Sequence, residues 1–240
     1  AFNYGVAAEK KSETPDTKIY QHFIIYGQSL STGHQSYPAL TTEPLSGNYM
    51  IGDQIWINQG NRNSAILNPL KSSLALTEKR SPLSRNGGIA ECPIVAAVNH
   101  LRLKINDPSV NYIATSTGVG GKTIDQLSKH CRNKNIYQEG FLKEYKTLML
   151  RLKNDMQNDV VSIYNQHSKP LFITYQVGAQ YTRGRTLNIG MAQLEAANET
   201  EDIICAGPVY PMTDRGGHLD ANGYRWYGEM LAKAYYRTII

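Results

Sequence analysis

The sequence predicts an α/β fold, with a central parallel sheet covered by helices on both faces. Three observations predict it. Short apolar runs suited to buried strands recur at Tyr20–Tyr26, Val110–Thr117, Pro170–Val177 and Asp202–Ala206. Between them lie stretches with apolar residues at helical spacing. The alternation of strand and helix implies parallel βαβ units. Sites in such sheets form beyond the carboxyl ends of the strands.

Residues 1–18 are polar and read as a lead-in, and 19–240 as one domain. The start, AFNYGVAAEKK, has neither an initiator Met nor an apolar signal core, and reads as processed or trimmed. The first strand ends at Gly27. Residues 35–87 are rich in Ser, Asn, Pro and Gly, which predicts a long loop-dominated insertion. Ile89–Leu103 carries Ile94, Val95, Val98 and Leu101 at helical spacing, with Pro93 suited to a first turn. A short helix is expected near Thr123. Phe141, Leu142, Tyr145, Leu148, Met149, Leu152 and Met156 mark an amphipathic helix. Leu187–Asn198 is expected to be helical. The last helix follows Asp220 as N-cap and buries Tyr224, Tyr227, Leu231 and Tyr235.

Composition narrows the function classes. The chain has 240 residues, 41% hydrophobic and 19% charged, as expected of a globular domain. No run of about 18 apolar residues is present, so no transmembrane helix is expected. The net charge of +5 is spread out; its densest spots, Lys129–Lys134 and Arg183–Arg185, are short and lack interleaved aromatics, against nucleic-acid binding. Cys92, Cys131 and Cys205 are odd in number, far apart and without CxxC spacing, so neither a disulfide framework nor a zinc site is indicated, and no cofactor is expected.

Three stretches fall beyond strand ends. In FIIYGQSLSTGH, Phe23 to His34, a strand delivers Ser29 onto a turn, the way a nucleophile is presented. It is not the GxSxG elbow, because Ser31 takes the place of the last glycine. A helix N-cap serine is the structural alternative. Gly118–Gly121 (GVGG) lacks the length and GK[ST] ending of a phosphate loop, and instead offers unobstructed backbone N–H groups. In TDRGGHLDANGYRWYGE, His218 can serve as base, and Gly216–Gly217 permits a turn that brings Asp214 to the imidazole. Asp220 is the rival carboxylate. His34 is a pocket-wall or surface residue, and His130 beside Cys131 lacks a metal-ligand spacing.

The motifs GQSLSTG, STGVGGKTIDQLSK, AQLEAA and YPMTDRGGHLDANGYRWYGEML, in order over roughly residues 20–237, resemble the SGNH (GDSL-like) hydrolases. They are most similar to the sialate O-acetylesterase-like branch of carbohydrate esterases, of bacterial or phage tail type. The resemblance implies a flavodoxin-like three-layer α/β/α sandwich and removal of an acyl group, usually acetyl, from a sugar hydroxyl. By position it implies Ser29 as nucleophile and first oxyanion donor. It makes Gly121, or alternatively Gly120, the second donor, His218 the base and Asp214 its orienting carboxylate. It places Gln28 and His34 at the substrate. The expected partner is an acetylated glycan, without nucleic acid or membrane, in an extracellular, periplasmic or virion-associated setting rather than a cytoplasmic one.

Two departures stand out. The family commonly spaces its Asp and His three apart, whereas Asp214 and His218 are four apart. Its third block, a Gln-Gly-Glu after a strand, has no counterpart: Tyr137–Gly140 (YQEG) follows no apolar strand, Gln176 and Gln180 follow another, and no third donor is assigned. The missing amide donor favours a competing reading, a carbohydrate-binding or virion-structural module on the same scaffold, whereas the intact Ser29, Asp214 and His218 set favours the esterase. The resembled sheet has the order 2-1-3-4-5, and its third strand is missing from the count. Either Val160–Tyr164 fills that slot or, the favoured expectation, the chain is broken between Lys129 and Tyr145.

Overall fold

The computed structural model describes residues 18–56, 66–71, 74–75, 89–127, 142–179 and 186–240. The predicted lead-in, apart from Lys18, lies outside them, as do Cys131 and His130. The chain is a mixed α/β protein with a mostly parallel sheet. Strand β1 (Ile19–Ile25) runs parallel to β6 (Val110–Ser116) in register from Ile19 opposite Val110 to Ile25 opposite Ser116. On the other side of β6 lies β2 (Asn48–Ile51), also parallel, and then β3 (Leu67–Pro69), antiparallel, giving the order β1-β6-β2-β3. Strands β7 (Phe172–Gln176) and β8 (Ile203–Pro208) pair in parallel as a second sheet.

Among its described residues, the stretch expected to be loop-dominated thus contributes three strands: β2, β3 and the two-residue β4 (Leu74–Ala75). Strand β2, NYMI, has only four residues, of which Asn48 and Met50 are buried. A run that short is hidden by its Gly- and Pro-rich flanks, and it becomes a strand because the free edge of β6 supplies its hydrogen-bond partners. The helix expected from Ile89 also starts later. Ile89–Ala90 is a strand, β5, antiparallel to β4 (Leu74–Ala75), and helix α2 is Pro93–Ile105. Proline at the first helical position loses no helical hydrogen bond there, so the boundary falls on it.

Helices cover both faces. Helix α2 packs with α6 (Ala221–Ile239) over a core of Ile25, Met50, Val95, Val98, Tyr112, Ala114, Val177, Val209, Leu219 and Tyr224. On the opposite face, α4 (Leu142–Tyr164) and α5 (Asn188–Glu199) meet β7 and β8 through Met149, Ala196, Ile203 and Phe172. Alternation along β7 makes this possible, since Phe172 joins the second cluster and Tyr175 the first. The C-terminal helix buries Tyr224 and Tyr227 and packs Leu231 and Tyr235 against the first core, as its spacing predicts.

Val160–Tyr164 does not fill the slot of a third strand. It is the last turn of α4, where Val160 continues the stripe of Met149, Leu152 and Met156 at three- and four-residue steps. Residues 128–141, where most of the expected break would fall, lie outside the described residues. Helix α4 is tied to the start of β8 by Lys153, itself buried, whose Nζ donates to Asp202 at 2.7 Å.

Helices α2 and α6 approach at Gly228. A Cβ there would stand 2.2 Å from the Pro93 carbonyl oxygen and 2.9 Å from Ala97 N, both backbone atoms that cannot swing aside. Gly228→Ala is therefore expected to lower unfolding stability by about 1–3 kcal/mol. Urea denaturation checks this: an unchanged midpoint would mean that the helices slide apart freely.

Candidate active site

The parallel ladder does not stop with the strands. Thr117 N–H donates to Ile25 O at 2.9 Å, and Val119 N–H to Gly27 O at 2.8 Å. The two chains therefore leave the sheet side by side, one toward Ser29 and the other toward Gly120 and Gly121. Gly118 fits against the serine turn only because it has no side chain, since a Cβ would stand 2.0 Å from Ser31 Oγ.

Ser29 opens α1 (Ser29–Thr32), a single turn preceded by Gln28 and closed by Gly33. The Ser31 N–H and hydroxyl both donate to the Gln28 carbonyl, at 2.9 and 2.6 Å. The Ser29 carbonyl accepts from the Gly33 and His34 N–H groups, from Thr32 Oγ1 at 2.9 Å and from Tyr224 Oη at 3.3 Å. Ser29 is not the N-cap; Gln28 is, and its side chain makes no capping bond. The first N–H groups of a helix have no acceptor within it, and Ser29 stands at the first helical position.

Across the site, residues 213–220 form a tight hairpin before α6. Arg215 N–H donates to His218 O at 2.9 Å, and Asp220 N–H to Thr213 O at 3.2 Å. Asp220 caps α6, accepting from Gly223 N–H at 2.8 Å and from the Thr213 hydroxyl at 2.7 Å. This hairpin delivers His218, whose Nε2 lies 2.7 Å from Ser29 Oγ. The two residues, 189 apart in sequence, are within hydrogen-bond reach.

Asp214, expected to orient the imidazole, is not brought to it. Its Oδ1 accepts from Gly216 N–H at 2.8 Å, and its backbone bridges Leu219, one residue past His218. An aspartate at the start of a Gly-rich turn finds the backbone N–H two residues on closer than any tertiary partner. The four-residue spacing supplies that turn. At His218 Nδ1 stands Gln35 instead, its Oε1 at 3.2 Å. His34 meets His218 edge to face, ring centroids 4.5 Å apart, while Gln28 is exposed at the rim. Gly120 and Gly121 are exposed at the same sheet end as the serine turn.

Burial, and secondarily the positive charge His34 can carry, push His218 down to about 4. Between about pH 6.5 and 4 the unfolded chain therefore binds a proton at this residue that the folded chain refuses, and its burial costs stability as pH falls through that window.

Sequence reasoning missed Gln35, Tyr224 and Glu91. Glu91 is fully buried, and Oε2 of its carboxylate accepts from the Leu40 and Thr41 N–H groups at 2.7 and 2.8 Å. Its backbone is bonded both ways to Ser36, through Glu91 N–H to Ser36 O at 3.2 Å and Ser36 Oγ to Glu91 O at 2.8 Å. The loop that carries His34 and Gln35 is thereby clamped to the start of α2. The available signal was a lone acid in an otherwise apolar stretch, IAECPIV. Cys92 beside it is buried, and its thiol is pushed up to about 12 by that burial. Among the described residues no group of three or more His, Cys, Asp and Glu side chains could hold a metal ion, and no helix is long and apolar enough to cross a membrane.

No family model matches the chain, and no curated protein matches it. Fold and site define it as an α/β protein with a serine–histidine pair at the carboxyl end of parallel strands. Among solved structures it is similar to the X-ray structure of a protein from Arabidopsis thaliana, with a TM-score of 0.65 and 14% identity, over 94% of this chain and 100% of that one. At that identity the likeness is one of fold.

Two measurements test the site without assuming an activity. In NMR titration the His218 ring is expected to stay neutral down to about pH 4, and a midpoint near 6.5 would contradict its burial. Glu91→Gln keeps one acceptor oxygen but loses the negative charge and the second oxygen, which accepts from the Thr41 hydroxyl, and is expected to cost about 1–3 kcal/mol in denaturant unfolding; a neutral result would show that the clamp adds nothing.

Proposed function

We propose that this protein is a serine esterase that removes O-acetyl groups from a carbohydrate. The observation that carries the reading is the 2.7 Å approach of His218 Nε2 to Ser29 Oγ at the end of a parallel sheet. A neutral imidazole at that distance can take the hydroxyl proton as Oγ bonds to an ester carbonyl carbon. The carbonyl oxygen, now negative, is held by the Ser29 N–H and by a glycine N–H of the GVGG segment, Gly121 or Gly120. Collapse of this intermediate breaks the bond to the sugar oxygen, which leaves with the proton from His218. Water then gives a proton to His218 and attacks the acetyl-serine carbonyl, and acetate departs as Ser29 recovers its hydrogen.

The chemical class of substrate comes from the resemblance of the motifs to the SGNH hydrolases of the sialate O-acetylesterase-like branch, and with it the flavodoxin-like form of the sandwich. One observation favours the competing reading, a carbohydrate-binding or virion-structural module: the carboxylate expected at the imidazole is engaged by Gly216 N–H. Turnover separates the two.

The experiment is acetate release from an aryl acetate and from acetylated polysaccharide. Ser29→Ala and His218→Ala are each expected to lower kcat on the order of 10⁴–10⁶-fold, with the double variant little worse than either, as for groups acting as one unit. Glycan binding without acetate release would support the module, and multiplying losses would argue against proton transfer between the two.

A further inference from the structure

We infer that Gln35 is the positioning residue for His218: its side-chain oxygen accepts the Nδ1 proton and holds the ring in the tautomer whose Nε2 faces Ser29. The catalytic consequence rests on the esterase reading; the tautomer itself does not. A carbonyl oxygen only accepts, so an Oε1 at 3.2 Å from Nδ1 requires hydrogen on Nδ1. The lone pair then lies on Nε2, 2.7 Å from Ser29 Oγ, where a proton acceptor is needed.

The backbone around Gln35 points the same way. Gln35 has φ 65°, in the left-handed region that residues with side chains seldom adopt. Such a conformation is unfavourable and persists only where the surroundings enforce it. They do so on both sides. His34 N–H is bonded to Ser29 O at 3.3 Å, and the buried Ser36 is bonded to Gly33 and to Glu91. The histidine hairpin is latched to the same loop, since Arg215 Nη2 donates to Tyr37 O at 2.9 Å. Gly217 lies alongside, where a Cβ would come 3.9 Å from Gln35 Oε1. The loop and the hairpin thus hold amide and imidazole in one register.

An amide orients the ring without supplying charge. A carboxylate in its place would favour the imidazolium. The other charged or titratable side chains of these two segments are His34, against the ring; Tyr37, in the same loop; Asp214, on Gly216 N–H; Arg215, on Tyr37 O; and Asp220, capping α6. Gln35 thus adds no charge to offset the burial that holds His218 a weak base, unprotonated in mildly acidic solution.

The test combines ¹⁵N NMR of the His218 ring with kinetics on the full chain. The wild type is expected to show the Nδ1–H tautomer. Gln35→Ala and Gln35→Gly should lose its dominance and lower kcat on aryl acetate by roughly 10²–10⁴-fold with KM within about twofold. Glycine accepts the backbone angle without strain, so that variant covers the case in which the alanine variant fails to fold. Gln35→Glu should restore the tautomer and much of the lost kcat, and move both the ring titration and the acid limb of kcat/KM upward by about one pH unit or more. An unchanged tautomer in Gln35→Ala or Gln35→Gly, or no upward movement in Gln35→Glu, overturns the proposal even if the enzyme hydrolyses esters. A wild type without ester hydrolysis sinks the esterase reading, and the ring ¹⁵N shifts still decide the role of Gln35.

Discussion

The ladder between β1 and β6 is the constraint on which the site depends. Hydrogen bonds continue past both strands, through Thr117 to Ile25 and Val119 to Gly27, so the serine turn and the GVGG segment leave the sheet in fixed register. A parallel ladder spaces its bonds evenly, and each further bond carries that register one step closer to the edge where Ser29 and His218 meet. Had it ended with the strands, the serine turn and the glycine segment would have been free to drift apart. Gly118 completes the contact by letting backbone lie directly on Ser31.

The opposite wall of the site hangs on α6. Asp220 caps that helix, Leu219 is buried in the core, and Tyr224, one turn in, reaches the Ser29 carbonyl. One element therefore positions His218 and touches the backbone of Ser29. Because its first turns are packed against α2 with backbone contact at Gly228, a shift of α6 would move His218 and the Tyr224 contact together. The third wall, residues 33–41, has no helix or strand of its own and is held by Glu91 instead. A buried carboxylate is an expensive group to place in a core, and here it is matched by N–H and hydroxyl donors from Leu40 and Thr41.

The alternation of apolar runs with helical stripes was enough to read the α/β class, the strands that became β1, β6, β7 and β8, and the C-terminal helix with its Asp220 cap. Ser29 and His218 were legible because each follows a strong local signal: a strand that ends in Gly-Gln-Ser, and a Gly-rich turn before a helix. These are properties of a few neighbouring residues, and local spacing carries them. Strand β2 was not legible, because four residues among Ser, Gly and Pro owe their conformation to the free edge of β6, a partner some 60 residues away.

The same reason explains the partner of the imidazole. By sequence, Asp214 is the natural carboxylate, four residues from His218 with two glycines between. In the folded chain the nearest N–H group captures it, and the atom at Nδ1 comes from Gln35, 183 residues away. No periodicity marks Gln35 or Glu91, and the helical spacing that buries Tyr224 says nothing of its bond to the Ser29 carbonyl, since these contacts are created by the fold alone. The sequence by itself determined the elements and the two chemically distinctive side chains, because these follow from short-range preference. Which acceptor faces the ring, and which buried acid holds the loop, depends on long-range contacts between segments with no common pattern, and only the tertiary structure decided it.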